Sequence, residues 1–496
     1  MHQSLKLSRD LFIITGAIVI YLVTAWNSEG YYHPDEHYQI IEFAGLKSGL
    51  NYPVDLAWEY EAQMRSAIQP AVCYLFFNIL NGIGISDPYD QMRWLRILTA
   101  CLCFAAIYRF IKSTLPLINP PFQEAYKLLS WFLWFLPFIN VRFSSETWSG
   151  IFLLLAVSTL QSARLKKNAL FVCTGILLGI SFLFRYQIAF AIAGLLGWLL
   201  LVKKEKATAI FTLLISIAAV IQIGILIDCW FYGEYTLTAW NYFYTNIIQD
   251  AASGFGVSPW YFYFTETMKS GFYLIGGSII LAIPLLLFLK WNSMFIWLLI
   301  PFIAIHSVIP HKEMRFLFPI VNFIPVVLVL ALQEVRKKTL PARRLKILSY
   351  PLIAVFITIN TLALLICSFI PAGNGTKEIT RFIHDHYRNE QVNLIFESGS
   401  NPYHPWNGLR ENFYKDGNVT LININELSSP SAIASLPGRT PLLVARKSLV
   451  ADADMQRLIR TFGLSERKMT IPAWMPRLFP YISTFSEEKI LVLYAN

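Results

Sequence analysis

Asp35 and Glu36 stand side by side in the stretch GYYHPDEHYQ, Gly30 to Gln39, directly after an apolar run from Leu11 to Trp26. That run reads as a membrane helix. A carboxylate placed where the chain leaves a bilayer can take the proton of an acceptor hydroxyl as a general base. The same residues also read as a plain helix start. Proline at position 34 suits a first turn, and carboxylates there complement the helix dipole. Both readings stand on the residues alone.

A second constellation, IPHKEMRFLFP (Ile309–Pro319), packs His311, Lys312, Glu313 and Arg315 into five positions between two apolar spans. One reading is a turn whose long basic side chains snorkel to the interface. The other is a phosphate or pyrophosphate held at the bilayer surface by converging Lys, Arg and His. The phosphate reading is the stronger, because these cations lie on the side where basic residues are disfavoured. Arg185, in FLFRYQIAF, sits between two apolar runs at the same face and reads either as a cavity-facing charge or as an interface anchor. Arg142 and Glu146, in NVRFSSETWSG, are spaced for an ion pair across one helical turn or for a substrate contact. In GFGVSPWYFYF, Gly254–Phe264, Trp260 and Tyr261 fit stacking on a sugar ring as well as an ordinary interfacial belt.

These residues require a membrane scaffold. The chain has 496 residues, is 55% hydrophobic and only 15% charged, against about 25% charged in soluble domains. The net charge of +10 gathers in short loops, so it speaks of orientation and not of nucleic acid. Candidate spans are 11–26, 70–86, 94–114, 126–141, 147–163, 169–184, 186–202, 208–231, 271–289, 294–310, 316–334 and 347–369. The basic loops ARLKKN (163–168), KKEK (203–206) and RKKTLPARRLK (336–346), with Lys6 and Arg9, are expected in the cytoplasm. Residues 184–187, the loop 232–270, the motif 311–316, the acidic segment 29–61 and the tail from 370 then face the other side. Strict alternation gives the wrong parity between 27 and 163, so an early segment fails to cross or two are merged. The 70–86 run is the weakest, with Asn78, Asn81, Gly82 and Gly84.

The loops 27–69 and 232–270 are too long for simple connectors. The expected fold is an all-α polytopic membrane domain over 1–369, followed by a small α/β domain over 370–496 on the non-cytoplasmic side. The tail earns that reading from the β-like runs VNLIF, VTLININ, PLLVA and ILVLY and the helix-like ADMQRLIRTFG. The six cysteines lie in or beside apolar runs with no CxxC spacing, so neither a zinc site nor a disulfide framework is expected. No small-residue cleavage site follows the first run, which reads as a retained helix. No internal repeat is visible.

Taken in order, HPDEHYQ, AWEYEAQMRSAIQP (57–70), VRFSSETWS (141–149), the 241–264 segment and HKEMRFLFP (311–319) resemble glycosyltransferase family 22. These are the multispanning mannosyltransferases of N-glycan and GPI-anchor assembly. Within the family the pattern is most similar to the enzymes that add the third mannose of the GPI anchor. The resemblance covers about 10–335 and implies a GT-C fold with its active site on the lumenal or periplasmic side. It implies transfer of mannose from a polyprenyl-phosphate mannose, such as dolichyl-phosphate mannose, onto a glycan or glycolipid, inverting to an α-mannoside, most simply α-1,2. By motif match Asp35 is the base and Glu36 its neighbour, orienting the acceptor or tuning the base. His311, Lys312, Arg315 and Arg185 hold the donor phosphate; His33, Trp58, Glu59, Arg65, Trp260 and Tyr261 shape the acceptor side. The sequence departs from the family at Ser145, Ser258 and Tyr261, positions that bear on the acceptor.

The alternatives are a transporter or flippase of a lipid-linked sugar, or a GT-C enzyme using another sugar or a protein acceptor. A transporter predicts inverted repeats and charges near the bilayer midplane, whereas these charges cluster at one face. No cofactor is expected; Asp35, Glu36 and Glu59 offer oxygen ligands for a divalent ion, but the basic residues suffice to neutralise one phosphate. The expected partners are the lipid donor, the acceptor and membrane lipid, without nucleic acid. The expected location is the endoplasmic reticulum membrane in a eukaryote, to which the sequons at Asn374 and Asn418 are suited. In a bacterium it is the inner membrane, with the site facing the periplasm.

Overall fold

The structure, a computed structural model, describes residues 2–162, 165–338, 343–373, 375–404, 409–426, 439–471 and 490–496. The sequon residue Asn374 and parts of two expected cytoplasmic loops, 163–164 and 339–342, lie outside the described residues. The chain forms two compact units. One comprises Met1–Ser28, Ala62–Val72 and Arg93–Ile370; the other comprises Glu29–Glu61, Cys73–Met92 and Pro371–Asn496.

The first unit is helical. Among the described residues six helices are long and apolar enough to cross a membrane: Ser8–Asn27, Pro88–Leu117, Lys167–Phe184, Ala207–Tyr232, Met314–Lys337 and Tyr350–Phe369. The first turn of Pro88–Leu117 belongs to the second unit. Shorter apolar helices span Ser145–Leu160, Tyr186–Val202, Leu274–Leu289 and Met294–Val308. Helix Lys167–Phe184 packs tightly against Ala207–Tyr232. Gly175 and Gly179 form a GxxxG step there: a Cβ on Gly175 would stand 2.5 Å from the Leu213 carbonyl oxygen, and one on Gly179 2.7 Å from Val220 Cβ. Small residues allow two backbones to approach where the surrounding lipid offers no hydrophobic drive for association.

The run read as one span over 126–141 is broken into Gln123–Phe132 and Phe135–Asn140. Leu133 turns to extended backbone, φ −65° and ψ 121°. Asn360 closes the gap: its Nδ2 donates to the Phe132 carbonyl at 2.7 Å and its Oδ1 accepts from the Trp134 N–H at 3.0 Å. Backbone groups freed inside a membrane protein need partners of this kind. A second polar clasp lies near it, where Asn140 Nδ2 donates to the Tyr21 hydroxyl and to Asn322 Oδ1, both at 3.0 Å.

The second unit carries a five-stranded sheet of β1 (Val392–Phe396), β2 (Val419–Asn423), β3 (Thr440–Arg446), β4 (Ser465–Met469) and β5 (Leu491–Ala495), in the order β2-β1-β3-β5-β4. β1 is parallel to β2 and β3, while β5 is antiparallel to β3 and β4. β1 and β5 are buried at every position, as expected of continuous apolar runs covered on both faces. Helix Ala453–Phe462 lays Met455 and Leu458 on Ile395, Leu443 and Val492. Asp452 caps that helix through the Asp454 N–H, and Gly463 ends it in the left-handed conformation. The second half of helix Ile68–Gly82, which lies in the expected 70–86 span, belongs to this unit from Cys73 onward.

Candidate active site

The carboxylate pair lies in the second unit. Helix Asp35–Tyr38 is a single turn that begins after Pro34, and no side chain caps it. The expected helix start is therefore present. The two carboxylates differ in setting. Asp35 is partly exposed, with an oxygen 3.4 Å from His33 Nδ1. Glu36 is buried and accepts the Tyr32 N–H at 3.3 Å. Glu59 is also buried, and its Oε1 accepts from Gln39 Nε2 at 2.7 Å. Trp58 is exposed.

Two residues beyond the carboxylates, His37 is fully enclosed. Its Nε2 lies 2.7 Å from Glu42 Oε1. Its ring is sandwiched between Tyr31 and Tyr414, at centroid distances of 5.5 and 5.4 Å and interplanar angles of 23° and 11°. Burial pushes the imidazole below its ordinary range, against the opposing pull of Glu42.

The cations lie in the first unit, where Arg185, His311 and Arg315 come together around two carboxylates and Lys312 bonds to backbone carbonyls. Glu146 Oε1 receives Arg185 Nη1 at 2.6 Å and Arg315 Nη1 at 3.0 Å. Glu146 reaches this position because Ser144 caps helix Ser145–Leu160 through the Thr147 N–H, at 3.2 Å. Arg315 Nε contacts the second carboxylate, Glu313, whose other oxygen meets His311 Nε2 at 2.9 Å. Both guanidinium groups lie over the Phe316 ring, at 5.0 and 5.2 Å. Arg142 donates to Ser28 Oγ at 2.9 Å.

Lys312 behaves differently from its neighbours. Its ammonium donates to the carbonyls of Ile309 at 2.6 Å and Ser258 at 2.8 Å. His311 Nδ1 lies 3.1 Å from the Gly256 carbonyl, and the Ser258 N–H donates to the Pro310 carbonyl at 2.9 Å. The basic motif thus ties down the aromatic loop that carries Trp260 and Tyr261, both exposed. Desolvation pushes the Lys312 ammonium below its ordinary range. Tyr263, buried beside Glu313, is pushed up by burial.

Arg65 anchors a third corner. Its carbonyl accepts the Tyr232 hydroxyl at 2.8 Å, and its guanidinium lies 5.6 Å from the Tyr242 ring. Asp228 is buried close by in sequence order to Tyr232, accepting from the Ala67 N–H at 2.7 Å and Thr238 Oγ1 at 2.6 Å. The residue that sequence reasoning undervalued is Glu146, the hub of the cationic cluster. Its local signals are a Glu in the first turn after a Ser cap and the four-residue spacing from Arg142. Among the described residues no group of three or more His, Cys, Asp and Glu side chains is set to hold a metal ion.

The sequence matches the profile of the Alg9-like mannosyltransferase family over residues 11–396. It is 24% identical over 362 residues to GPI alpha-1,2-mannosyltransferase 3 of Bos taurus, covering 71% of this chain and 64% of that one. It is 27% identical over 329 residues to GPI mannosyltransferase 3 of Yarrowia lipolytica, covering 64% and 61%. The match spans somewhat less than two thirds of the length of these relatives. Among solved structures the fold is similar to ArnT from Cupriavidus metallidurans bound to undecaprenyl phosphate, with a TM-score of 0.55, 10% identity and 98% of each chain covered. That likeness identifies the fold as GT-C. The chain belongs to the Alg9-like mannosyltransferase family.

Proposed function

We propose that this protein transfers mannose from a polyprenyl-phosphate mannose to a hydroxyl of a glycan or glycolipid at the non-cytoplasmic membrane face, inverting the donor to an α-mannoside. The observation that carries the reading is the cationic cluster. Arg185 and Arg315 balance Glu146 and Glu313, and Lys312, whose ammonium is held by backbone carbonyls, leaves the motif a formal surplus of one. A polyprenyl-phosphate sugar is a phosphodiester with one negative charge. Two guanidinium groups held by a shared carboxylate are preorganised to bind it and to stabilise the phosphate as it leaves.

The step balances simply. Asp35 takes the proton of the acceptor hydroxyl. The oxygen bonds to C1 of mannose on the face opposite the leaving group. The C1–O bond to phosphate breaks, and its electron pair leaves with polyprenyl phosphate. The products are the α-mannoside, a polyprenyl monophosphate held by Arg185 and Arg315, and a protonated Asp35. The buried Glu36 secures the turn by accepting the Tyr32 N–H. His311 and Lys312 hold the loop that carries Trp260 and Tyr261. On this reading His33, Trp58, Glu59, Arg65, Trp260 and Tyr261 bind the acceptor.

The names of the relatives favour an α-1,2 linkage to a GPI-type acceptor. Ser145, Ser258 and Tyr261 mark where this chain's own acceptor preference would differ. No divalent ion is required on this reading, so EDTA is expected to leave activity intact. The decisive test is mannose transfer from a short-chain polyprenyl-phosphate mannose in membranes, by wild type and Asp35→Asn. The reading expects a loss of roughly a hundredfold or more with the protein folded and donor bound. Near-normal activity would remove Asp35 as the base.

A further inference from the structure

We propose that Glu411 and Lys377, from the tail, are positioning residues that moor the single turn carrying Asp35 and Glu36 through the hydroxyls of Tyr31 and Tyr38. The inference rests on the reading of Asp35 as the base. Residue 411 lies beyond the stretch, 11–396, that matches the family profile.

A four-residue helix has no stability of its own, and this one has no side-chain cap. Local contacts contribute, with Glu36 accepting the Tyr32 N–H and His33 Nδ1 the Asp35 N–H, both at 3.3 Å, and residues far along the chain add to them. Tyr31 and Tyr38 bracket the turn, and both hydroxyls donate to the same atom, Glu411 Oε1, at 2.7 and 3.2 Å. Glu411 Oε2 is in ionic contact with Lys377 Nζ. All four side chains are buried. The ammonium also lies 4.7 Å from the Tyr414 ring and 5.6 Å from the Tyr31 ring. Those two rings enclose His37, the third residue of the turn. On the other edge Glu42 Oε1 accepts the Phe413 N–H at 3.2 Å and Glu42 Oε2 accepts from Asn51 Nδ2 at 2.7 Å. The turn is thus gripped from both ends by residues 377 and 411–414.

The arrangement has the logic of a support and not of a core filler. One carboxylate oxygen fixes two phenols that flank the turn, so their separation, and the pitch of Asp35 between them, is set by one atom. A displacement of about 1 Å in a catalytic group can cost on the order of a hundredfold in rate. A buried carboxylate needs its cation, and Lys377 supplies it.

The experiment uses the full chain in membranes. The double variant Tyr31→Phe/Tyr38→Phe keeps both rings and the enclosure of His37 and removes only the two hydroxyls. Glu411→Gln keeps the shape and removes the charge. Both are assayed below their melting temperature, per folded molecule, with kcat and donor KM separated. The proposal expects kcat to fall about tenfold or more in each, with donor KM changed less than about threefold. It also expects the acid limb of the kcat–pH profile to move in Glu411→Gln. Wild-type kcat in the phenylalanine variant, with Asp35→Asn inactive, overturns the mooring and leaves the base assignment standing. An active Asp35→Asn overturns both. A lower melting temperature with unchanged kcat reveals a purely structural contact and also overturns it. Should Glu411→Gln fail to fold, the phenylalanine variant decides.

Discussion

Arg185 and Arg315, 130 residues apart in sequence, place a nitrogen each on the same oxygen of Glu146, at 2.6 and 3.0 Å. The shared carboxylate fixes the distance between them. Breaking a buried pair by removing one partner costs about 3–5 kcal/mol, because a charge is left uncompensated. Glu146→Gln is therefore expected to lower the melting temperature in detergent markedly and to abolish donor binding through loss of arginine geometry. An unchanged melting curve would remove Glu146 from its place as the hub.

Lys312 makes a separate claim. Its ammonium serves carbonyls of Ile309 and Ser258, and a hydrogen bond from a charged donor contributes about 1.5–3 kcal/mol. Lys312→Met is expected to loosen the 251–264 segment, seen as faster proteolytic cleavage there, and to weaken acceptor use more than donor use. A variant that loses donor binding alone, with the loop as resistant as wild type, would make Lys312 a direct phosphate ligand instead.

The second unit contains a histidine held between two aspartates. His384 Nδ1 lies 2.7 Å from Asp416 and its Nε2 2.8 Å from Asp87. The bond to Asp416, opposed by burial and aided by Asp87, raises the imidazole above its ordinary 6.5. Stability from this pairing is full below that value and is lost as pH rises through the raised folded one. Asp87 shifts the other way: burial opposes it, but the Asp90 N–H and His384 bring it below its ordinary 3.8. Its contribution is present above that value and is lost as pH falls through the lowered one. His37, depressed by burial, costs stability as pH drops below 6.5. Melting curves should show a loss of stability as pH rises above 6.5 that vanishes in His384→Gln. A wild-type curve flat on the alkaline side would contradict the pairing.

The fold class was legible because lipid and core impose periodicity on sequence. The apolar runs became helices, and VNLIF, VTLIN, PLLVA and LVLY became β1, β2, β3 and β5. The strand SERKM was not legible. It lies at the sheet edge with Ser465, Glu466 and Arg467 exposed and a bulge between 466 and 468, so it carries the charges that protect an edge and no apolar alternation. The break at Leu133 was missed although Pro137 stands four residues on, where it has no N–H to donate to the Leu133 carbonyl. Asn360, 226 residues beyond Trp134, supplies its partners. The site followed the same rule. The motifs named the residue types, and helical spacing set Glu146 near Arg142 for an ion pair or a substrate contact, but Arg185 and Arg315, which also bind Glu146, are 39 and 169 positions away. Spacing along one helix is readable; convergence of separate helices is not.

The separation of Tyr38 from Glu411 is 373 residues. At a synthesis rate of about 5–20 residues per second, roughly 20 to 75 seconds pass between the emergence of the Asp35 turn and the arrival of the carboxylate that fixes it. During that interval the nascent chain already holds the first helix and the acidic turn but lacks the groups that make the turn rigid. A ribosome-bound fragment ending before residue 411 would therefore be inserted yet idle, and the onset of transfer would report the completion of the tail.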